Sequence, residues 1–260
     1  MRKYYRLSAV ILLSLLGISC EKNGVQEIDK PLTDGAQIKF FNFGVGSPSV
    51  NFYANDVKVS ATATATGVES TTGVLYGSVF PSNNYSFITA GTYTFKGQIS
   101  ATALVDPNLV VTTLSSPVEN GKYYSMYTSG IYNAVTKTAD AFIVEDKLPV
   151  EDNTASYVRF VNSVSNATSA LTLVIKNTNT SAEVVIGTGV SYKSASGFIK
   201  IPEGVYDISL RSQGSNINIV TRLSTSLLSG KVYTVSSRGD VNIVAAAAVN
   251  RIFLDNTANR

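Results

Sequence analysis

The chain has 260 residues, of which 21 are lysine or arginine, 18 are aspartate or glutamate, one is cysteine and none is histidine. Arg2, Lys3 and Arg6 lie at the start, so the other 18 basic residues balance the 18 acidic ones and leave the rest of the chain neutral. This balance removes the electrostatic basis for a nucleic-acid partner. The lack of histidine excludes Ser-His-Asp and Cys-His catalysis and the usual ligand sets of zinc, copper and haem.

Residues 1–19 have the pattern of a secretory signal peptide. Basic residues at the start precede a mostly apolar run over 7–18, which is too short to cross a bilayer because a spanning helix needs about 20 apolar residues. The run ends at Cys20, within LLGISCEKNG. This arrangement resembles the signal of bacterial lipoproteins, in which the cysteine is acylated and becomes the first residue of the mature chain.

Lipidation of Cys20 would explain why the lone thiol lies where the apolar run becomes polar. Two or more acyl chains, at about 0.8 kcal/mol per buried methylene, hold a domain at a membrane, whereas one chain binds marginally. We therefore predict an outer-membrane lipoprotein of the bacterial cell envelope, on its periplasmic or its surface face; Glu21 favours the outer membrane by the same resemblance. The alternatives are a bystander cysteine in an ordinary cleaved signal and a catalytic thiol, for which no histidine could act as base.

After the lipidated cysteine, residues 20–35 are predicted to form a flexible tether, because Pro31 and Gly35 interrupt regular structure. The remainder is a duplication, in which four blocks recur in the same order. The pairs are GAQIKFFN (35–42) and ASYVRFVN (155–162), AGTYTF (90–95) and EGVYDI (203–208), ENGKYYSMYTSG (119–130) and LSGKVYTVSSRG (228–239), and FIVED (142–146) and RIFLD (251–255). We predict two domains, 36–148 and 156–260, joined by a linker at 149–155.

Each copy is predicted to be all-β, because Val, Ile and Thr are abundant and apolar residues alternate with polar ones. Ile38 and Phe40 share a face opposite Lys39, and the same pattern places Arg159 opposite the apolar residues of the second copy. We interpret these two basic residues as outward strand positions rather than as a binding site. Segments of this kind number seven or eight per copy, which predicts two tandem β-sandwiches.

The sequence also predicts individual turns and the conformation of one alanine-rich run. Asn55 and the following aspartate are predicted to form a tight hairpin turn. Gly121 and Gly230, each before a lysine, are predicted to be turn residues that adopt positive φ. The run VAAAAV at 244–249 is interpreted as a buried strand rather than a helix, because the residues around it alternate.

Several of these blocks resemble the bacterial family known as domain of unknown function 4397 (DUF4397). The motifs that carry the resemblance are IKFFN and VRFVN, SVNFYANDVKV, AGTYTF and EGVYDI, and GKYYSMY and GKVYTVS. The resemblance covers most of 36–258. It implies paired Ig-like or transthyretin-like sandwiches on secreted or lipid-anchored proteins, and it implies no activity, because none is established for the family.

Tyrosines form one group of candidate binding residues. Tyr123, Tyr127 and Tyr132 crowd one strand and its exit, and exposed tyrosines can stack on sugars or anchor a protein interface. Because strand faces alternate, Tyr124 and Met126 lie opposite Tyr123 and Tyr127, so one set must belong to the core. The alternative is that the remaining face carries half-buried sheet tyrosines with no ligand.

Acidic side chains near the predicted linker form the other group, and they are weak candidates for a calcium site. Glu145, Asp146, Glu151 and Asp152 supply oxygen ligands, but Lys147 lies among them and the spacing is not that of an EF-hand. A solvated linker is the favoured interpretation, and we predict neither a metal nor a cofactor.

Taken together, these features predict a non-enzymatic, lipid-anchored binding or scaffold module with a protein or glycan partner. One alternative is a structural fimbrial or surface-layer subunit that assembles by strand exchange. That alternative requires a detachable last strand, whereas the terminal run NIVAAAAVNRIFLDN matches the end of the first copy. A further alternative is an envelope hydrolase that uses carboxylates, which are scattered along the chain.

Overall fold

The computed structural model describes residues 35–260. This part of the chain is all-β and contains 18 strands without a helix. Consequently, none of its segments is a helix long and apolar enough to cross a membrane. The predicted signal peptide, Cys20 and the tether up to residue 34 lie outside the described residues.

The first repeat forms two sheets that pack face to face. Its strands are β1 (Gly35–Asn42), β2 (Asn51–Ala54), β3 (Val57–Lys58), β4 (Ser78–Phe80), β5 (Ser86–Thr89), β6 (Gly91–Gln98), β7 (Val110–Val118), β8 (Tyr123–Asn133) and β9 (Thr138–Glu145). The sheet that we call inner sheet 1 has the order β4-β1-β8-β9, and β5 also pairs with β1. Outer sheet 1 has the order β3-β2-β6-β7.

The second repeat has the same architecture. Its strands are β10 (Ser156–Asn162), β11 (Leu171–Asn177), β12 (Glu183–Val190), β13 (Ser194–Ala195), β14 (Ile199–Ile201), β15 (Gly204–Ser212), β16 (Asn218–Leu227), β17 (Val232–Arg238) and β18 (Phe253–Ala258). Inner sheet 2 has the order β13-β10-β17-β18, with β14 on β10, and outer sheet 2 has the order β12-β11-β15-β16. Every strand number differs by nine from its counterpart, which confirms the duplication.

Each repeat has nine strands rather than the predicted seven or eight. The difference arises because the first long strand of each repeat pairs with two short strands along one edge. Its other edge pairs in parallel with β8 or β17, over six residue pairs in each repeat. The last strand, β18, pairs antiparallel with β17 of its own repeat, as the sequence predicted.

Each repeat encloses its own apolar core between its inner and outer sheets. In the first repeat, the ring of Phe40 on β1 stacks on that of Phe52 on β2, with centroids 5.0 Å apart. In the second, Val158 and Phe160 of β10 pack with Leu173 and other apolar residues of outer sheet 2. Alternation placed Phe40, Val158 and Phe160 correctly, because successive strand residues point to opposite faces. Truncating such a buried phenylalanine to alanine typically costs about 3–5 kcal/mol.

Equivalent side chains make equivalent hydrogen bonds in the two repeats. The hydroxyl of Tyr124 accepts a bond from the backbone N–H five residues earlier, and Tyr233 does the same at distances of 3.1 and 3.2 Å. Gly121 and Gly230 adopt φ values of 73° and 76°, which confirms them as turn residues. Asn55, in the two-residue turn between β2 and β3, has a φ of 55°, also as predicted.

The strand pairing corrects one matched block of the sequence. Phe142 pairs with Tyr127 in the first repeat, and Asp255 pairs with Ser236, the counterpart of Tyr127, in the second. Asp255 is therefore the structural counterpart of Phe142, and the alignment of FIVED with RIFLD is wrong by four residues. By the same pairing, the counterpart of Asp146 is Asn259: the N–H of Asp146 donates to the carbonyl before Tyr124, and that of Asn259 to the carbonyl before Tyr233.

The run VAAAAV at 244–249 is a loop between β17 and β18, so its interpretation as a buried strand is wrong. Val244 and Val249 are largely exposed. Alanines gain little from burial, and Asp240 favours a turn by accepting the N–H of Asn242 at 2.8 Å.

Candidate functional site

The outer faces of the two inner sheets pack against each other and form what we call the junction. A third apolar core fills its centre and consists of Phe41, Phe43, Tyr127, Phe142 and Val161. Lys39 and Arg159 point away from the core of their own repeat, as predicted. They are nevertheless buried, because the other repeat covers that face.

Arg159 holds the two repeats together through a buried ion pair. Its guanidinium pairs with the carboxylate of Asp146, donates to Thr234 Oγ1 at 2.9 Å and donates to the carbonyl oxygen of Glu145 at 3.2 Å. Ser125 also donates to Asp146, at 2.7 Å. The interpretation of Asp146 as part of a solvated linker is therefore wrong, because this carboxylate neutralises a buried cation from the other repeat.

Lys39 occupies the position in the first repeat that Arg159 occupies in the second. Unlike Arg159, it has no acidic side chain of the other repeat as an ion-pair partner. Its ammonium is buried and makes no hydrogen bond within residues 35–260. It lies 5.1 Å from the centroid of the Tyr85 ring. The equivalent of Asp146 on its side is Asn259, which is neutral and donates to the hydroxyl of Tyr85. Burial lowers the pKa of Lys39 to about 8, against a smaller opposing effect of Asp146.

Tyr127, one of the predicted binding tyrosines, lies in the middle of the junction and has no exposed surface. Its ring stacks between Phe41 and Phe142, with centroid distances of 4.3 and 4.8 Å. Its hydroxyl is 3.1 Å from Ser236 Oγ, within hydrogen-bond distance, and burial raises its pKa. Tyr127 therefore contributes to the junction and is not available to a ligand.

The other two predicted tyrosines lie in separate places. Tyr123 is half-buried at one end of the junction, where its ring meets that of Tyr85 edge-on at 5.1 Å. Tyr132, beyond the end of the junction, is half-buried and lines a cleft formed by loops of the first repeat. Meanwhile, Tyr124 and Met126 belong to the core of the first repeat. The three tyrosines thus do not form one site.

The four acidic candidates for calcium are also dispersed among other partners. Glu145 lies 3.5 Å from the ammonium of Lys122, and Asp146 faces Arg159. Asp152 pairs with Lys200 at 2.7 Å, and the hydrogen bond from Lys200 lowers its pKa. Glu151 is exposed. Across residues 35–260, no group of three or more acidic side chains is arranged to hold a metal ion.

The loop cleft next to Tyr132 has a volume of about 640 Å³ and is the largest of the cavities described here. The loop between β6 and β7 forms one wall, where Ile99 is buried and Leu104 and Val105 are strongly exposed at the rim. Asp106, the single charged group in the lining, pairs with Lys137. The cleft is therefore apolar and electrically neutral, with hydroxyl groups of nearby serines and threonines at its edge.

Sequence reasoning missed this cleft because its wall is a loop. The signal that could have indicated it is the pair Leu104-Val105 inside ATALVDPN, two large apolar residues in a segment of turn-forming composition. Large apolar side chains in such a segment have no strand partner and tend to remain exposed. Exposed apolar residues that adjoin a concave surface are typical of interaction sites.

Comparison with known proteins gives no family. No family model matches the chain, and no curated protein matches it. Solved structures with some similarity include the Bacillus anthracis TIE protein, at 14% identity and a TM-score of 0.25, with 80% of this chain and 34% of that chain covered. A leucine-rich repeat protein from Bacteroides thetaiotaomicron has 13% identity and a TM-score of 0.21, with 80% and 26% covered.

A candidate cell adhesion protein from Bacteroides fragilis has 12% identity and a TM-score of 0.24, with 87% of this chain and 98% of that chain covered. The chain thus spans about a third and about a quarter of the first two structures and nearly all of the third.

Proposed function

We propose that the protein is a non-enzymatic binding module of the bacterial envelope, anchored in the outer membrane by lipid on Cys20. Its two sandwiches form a rigid body that presents the loop cleft of the first repeat to a partner protein. Within residues 35–260, the ion pair of Arg159 with Asp146 serves the contact between repeats and is closed off from solvent, which supports a binding role rather than substrate turnover.

The observation that carries the proposal is the combination of a concave apolar surface with apolar side chains at its rim. Leu104 is as exposed as in an extended chain, although its transfer out of water is worth about 1.5–3 kcal/mol. Because the only charged group in the lining, Asp106, is neutralised by Lys137, the cleft suits an uncharged group. We therefore assign it an aliphatic or aromatic side chain of a partner protein.

The anchor is tested by labelling a bacterium that expresses the full chain with a radioactive or clickable fatty acid. The label should attach to the protein and disappear in Cys20→Ser, which should also move from the membrane fraction to the soluble fraction. A parent chain that carries no label would remove the anchor from the proposal.

The cleft is tested by selecting a displayed peptide library on the full chain that carries Cys20→Ser. Enriched peptides should share an aliphatic or aromatic residue and should lose at least tenfold in affinity for Leu104→Asp and Tyr132→Ala. Val135→Asp is the matched control, because Val135 is similarly exposed at the neighbouring hairpin but does not line the cleft. Peptides that bind all four chains equally, or no enrichment at all, would contradict this site.

A further inference from the structure

A second cavity, of about 390 Å³, opens at one side of the junction and is lined by both repeats. The first repeat contributes Ser78 and Ser82, and the second contributes Arg222, Asn256 and Thr257. The cavity therefore exists only when the two sandwiches are docked. Cavities between domains are common positions for small-molecule sites, and ligand pockets range from about 300 to 1,000 Å³.

Because the two repeats share one fold, the residues on this side of the junction can be compared with the equivalent residues on the opposite side. The N–H of Gly77 donates to the carbonyl of Asn42 at 2.7 Å, and the N–H of Lys193 donates to that of Asn162 at 2.9 Å. Both Gly77 and Lys193 have positive φ values, 79° and 65°. The two segments therefore occupy equivalent positions on opposite sides of the junction, and Tyr76 corresponds to Tyr192.

The opposite side combines aromatic and apolar side chains with polar contacts, such as the hydrogen bond that Tyr192 donates to Asp140 at 3.1 Å. There, the ring of Tyr192 meets that of Phe142 edge-on at 6.3 Å, and Val144 packs against the junction core. At the cavity, Asp255 and Thr257 stand in the positions of Phe142 and Val144. At these two equivalent positions, one side of the junction therefore has apolar side chains and the cavity side has polar ones.

Two charged side chains line the cavity, and the protein neutralises one of them. Asp255 is neutralised by Arg238, at 2.6 Å. Arg222, by contrast, forms no ion pair within residues 35–260, and its guanidinium is fixed at the cavity by a bond of 3.0 Å to the carbonyl of Leu254.

We propose that this cavity binds an acidic sugar, that is, a small polyhydroxylated carboxylate such as a uronic acid residue. The sugar hydroxyls would bond to Thr257 and to the serine hydroxyls, which can each donate and accept. The carboxylate would pair with Arg222, since a guanidinium binds a carboxylate through two parallel hydrogen bonds. This site is distinct from the loop cleft and belongs to both repeats.

The test is titration calorimetry of the full chain carrying Cys20→Ser with D-galacturonate, with a galacturonate oligosaccharide and with neutral D-galactose. We expect saturable binding of an acidic sugar and at least tenfold weaker binding of galactose. The monosaccharide and the oligosaccharide distinguish a free sugar acid from a glycan. Failure of both acidic probes to bind, or equal binding of galactose, would overturn the proposal.

Arg222→Gln should weaken binding of the acidic sugar at least tenfold, and because Arg222 is exposed this variant should fold normally. Arg211→Gln is the matched control, since Arg211 lies on the neighbouring strand β15, pairs with Glu183 and does not line the cavity. If Arg222→Gln binds as tightly as the parent, or the control loses binding equally, the site is not the one proposed. Peptide binding at the loop cleft should be unchanged in Arg222→Gln, so the two proposals fail separately.

Discussion

Replacing Lys39 by methionine should stabilise the protein at neutral pH. Methionine retains much of the length and the apolar stem of lysine, so it should fill the same space between the inner sheets. What it removes is a buried ammonium that makes no hydrogen bond within residues 35–260. Most substitutions of buried side chains destabilise a protein, so a gain in stability here would be diagnostic of an uncompensated charge.

The size of the effect follows from the pKa of Lys39. Folding lowers it from 10.5 to about 8, and each unit of difference corresponds to about 1.4 kcal/mol between the two protonation states. The buried charge therefore costs up to about 3 kcal/mol at pH 7, where lysine is protonated in both the folded and the unfolded chain. This value is an upper figure, because methionine also forgoes the favourable contact of the ammonium with the ring of Tyr85.

The dependence on pH gives the sharper test. Because the folded pKa is the lower one, between about pH 8 and pH 10.5 the unfolded chain holds a proton that the folded chain has released. The contribution of Lys39 to stability therefore rises with pH over this interval. The free energy of unfolding of Lys39→Met should exceed that of the parent by up to about 3 kcal/mol at pH 7, and the gap should narrow above pH 8 and close near pH 10.5.

Urea denaturation at a series of pH values, followed by tyrosine fluorescence and circular dichroism, measures this difference. Lys231→Met is the matched control, because Lys231 is exposed and follows the turn glycine of the second repeat; its removal should leave stability nearly unchanged. A Lys39→Met chain that is less stable than the parent at pH 7, or a difference that does not vary between pH 7 and pH 10, would refute the reasoning.

Three further substitutions probe the junction by urea denaturation. Asp146→Asn should cost about 3–5 kcal/mol, because it leaves the buried Arg159 without its counter-charge, whereas Glu151→Gln at an exposed position should cost little; equal effects would mean that the ion pair is not structural. Gly77→Ala should cost at least about 1–2 kcal/mol, because φ is +79° and the new Cβ would lie 2.8 Å from the guanidinium carbon of Arg238; unchanged stability would contradict the close approach. Tyr127→Phe keeps the stacked ring and should cost only about 0.5–1.5 kcal/mol for the contact with Ser236, so a loss of several kcal/mol would show a larger role for the hydroxyl.

Much of the fold was predictable because strand periodicity reports directly on which face a side chain occupies. The alternation around Phe40 and Phe160 placed both residues in the cores where the structure has them. The recurrence of the blocks also predicted that the two halves share one architecture, because similar patterns of apolar residues favour similar sheets. Turn residues with positive φ, such as Gly121 and Gly230, were recognisable for the same local reason.

The junction was not predictable in this way, because periodicity says which face a residue occupies but not what covers that face. Charged residues are rarely buried without partners, so Lys39 and Arg159 indicated that the strand faces that carry them are exposed to solvent. A contrary signal was nevertheless present in the first repeat. Phe41, Tyr127 and Phe142 all occupy outward positions, and three aromatic residues on one outward face indicate that something apolar covers it.

The error in the last matched block shows why sequence similarity misplaced a charge at this junction. Matching FIVED to RIFLD makes Asp255 the counterpart of Asp146, which would give the second repeat a carboxylate in the place where Lys39 needs one. The strand pairing instead puts Asn259 there, and Asp255, four residues earlier in the chain, pairs with Arg238. A shift of four residues keeps the alternation of the strand intact, so periodicity could not detect it. The sequence alignment would give both Lys39 and Arg159 an acidic partner at the junction. The hydrogen-bond register of the strands shows instead that only Arg159 has one and that the charge of Lys39 is unpaired.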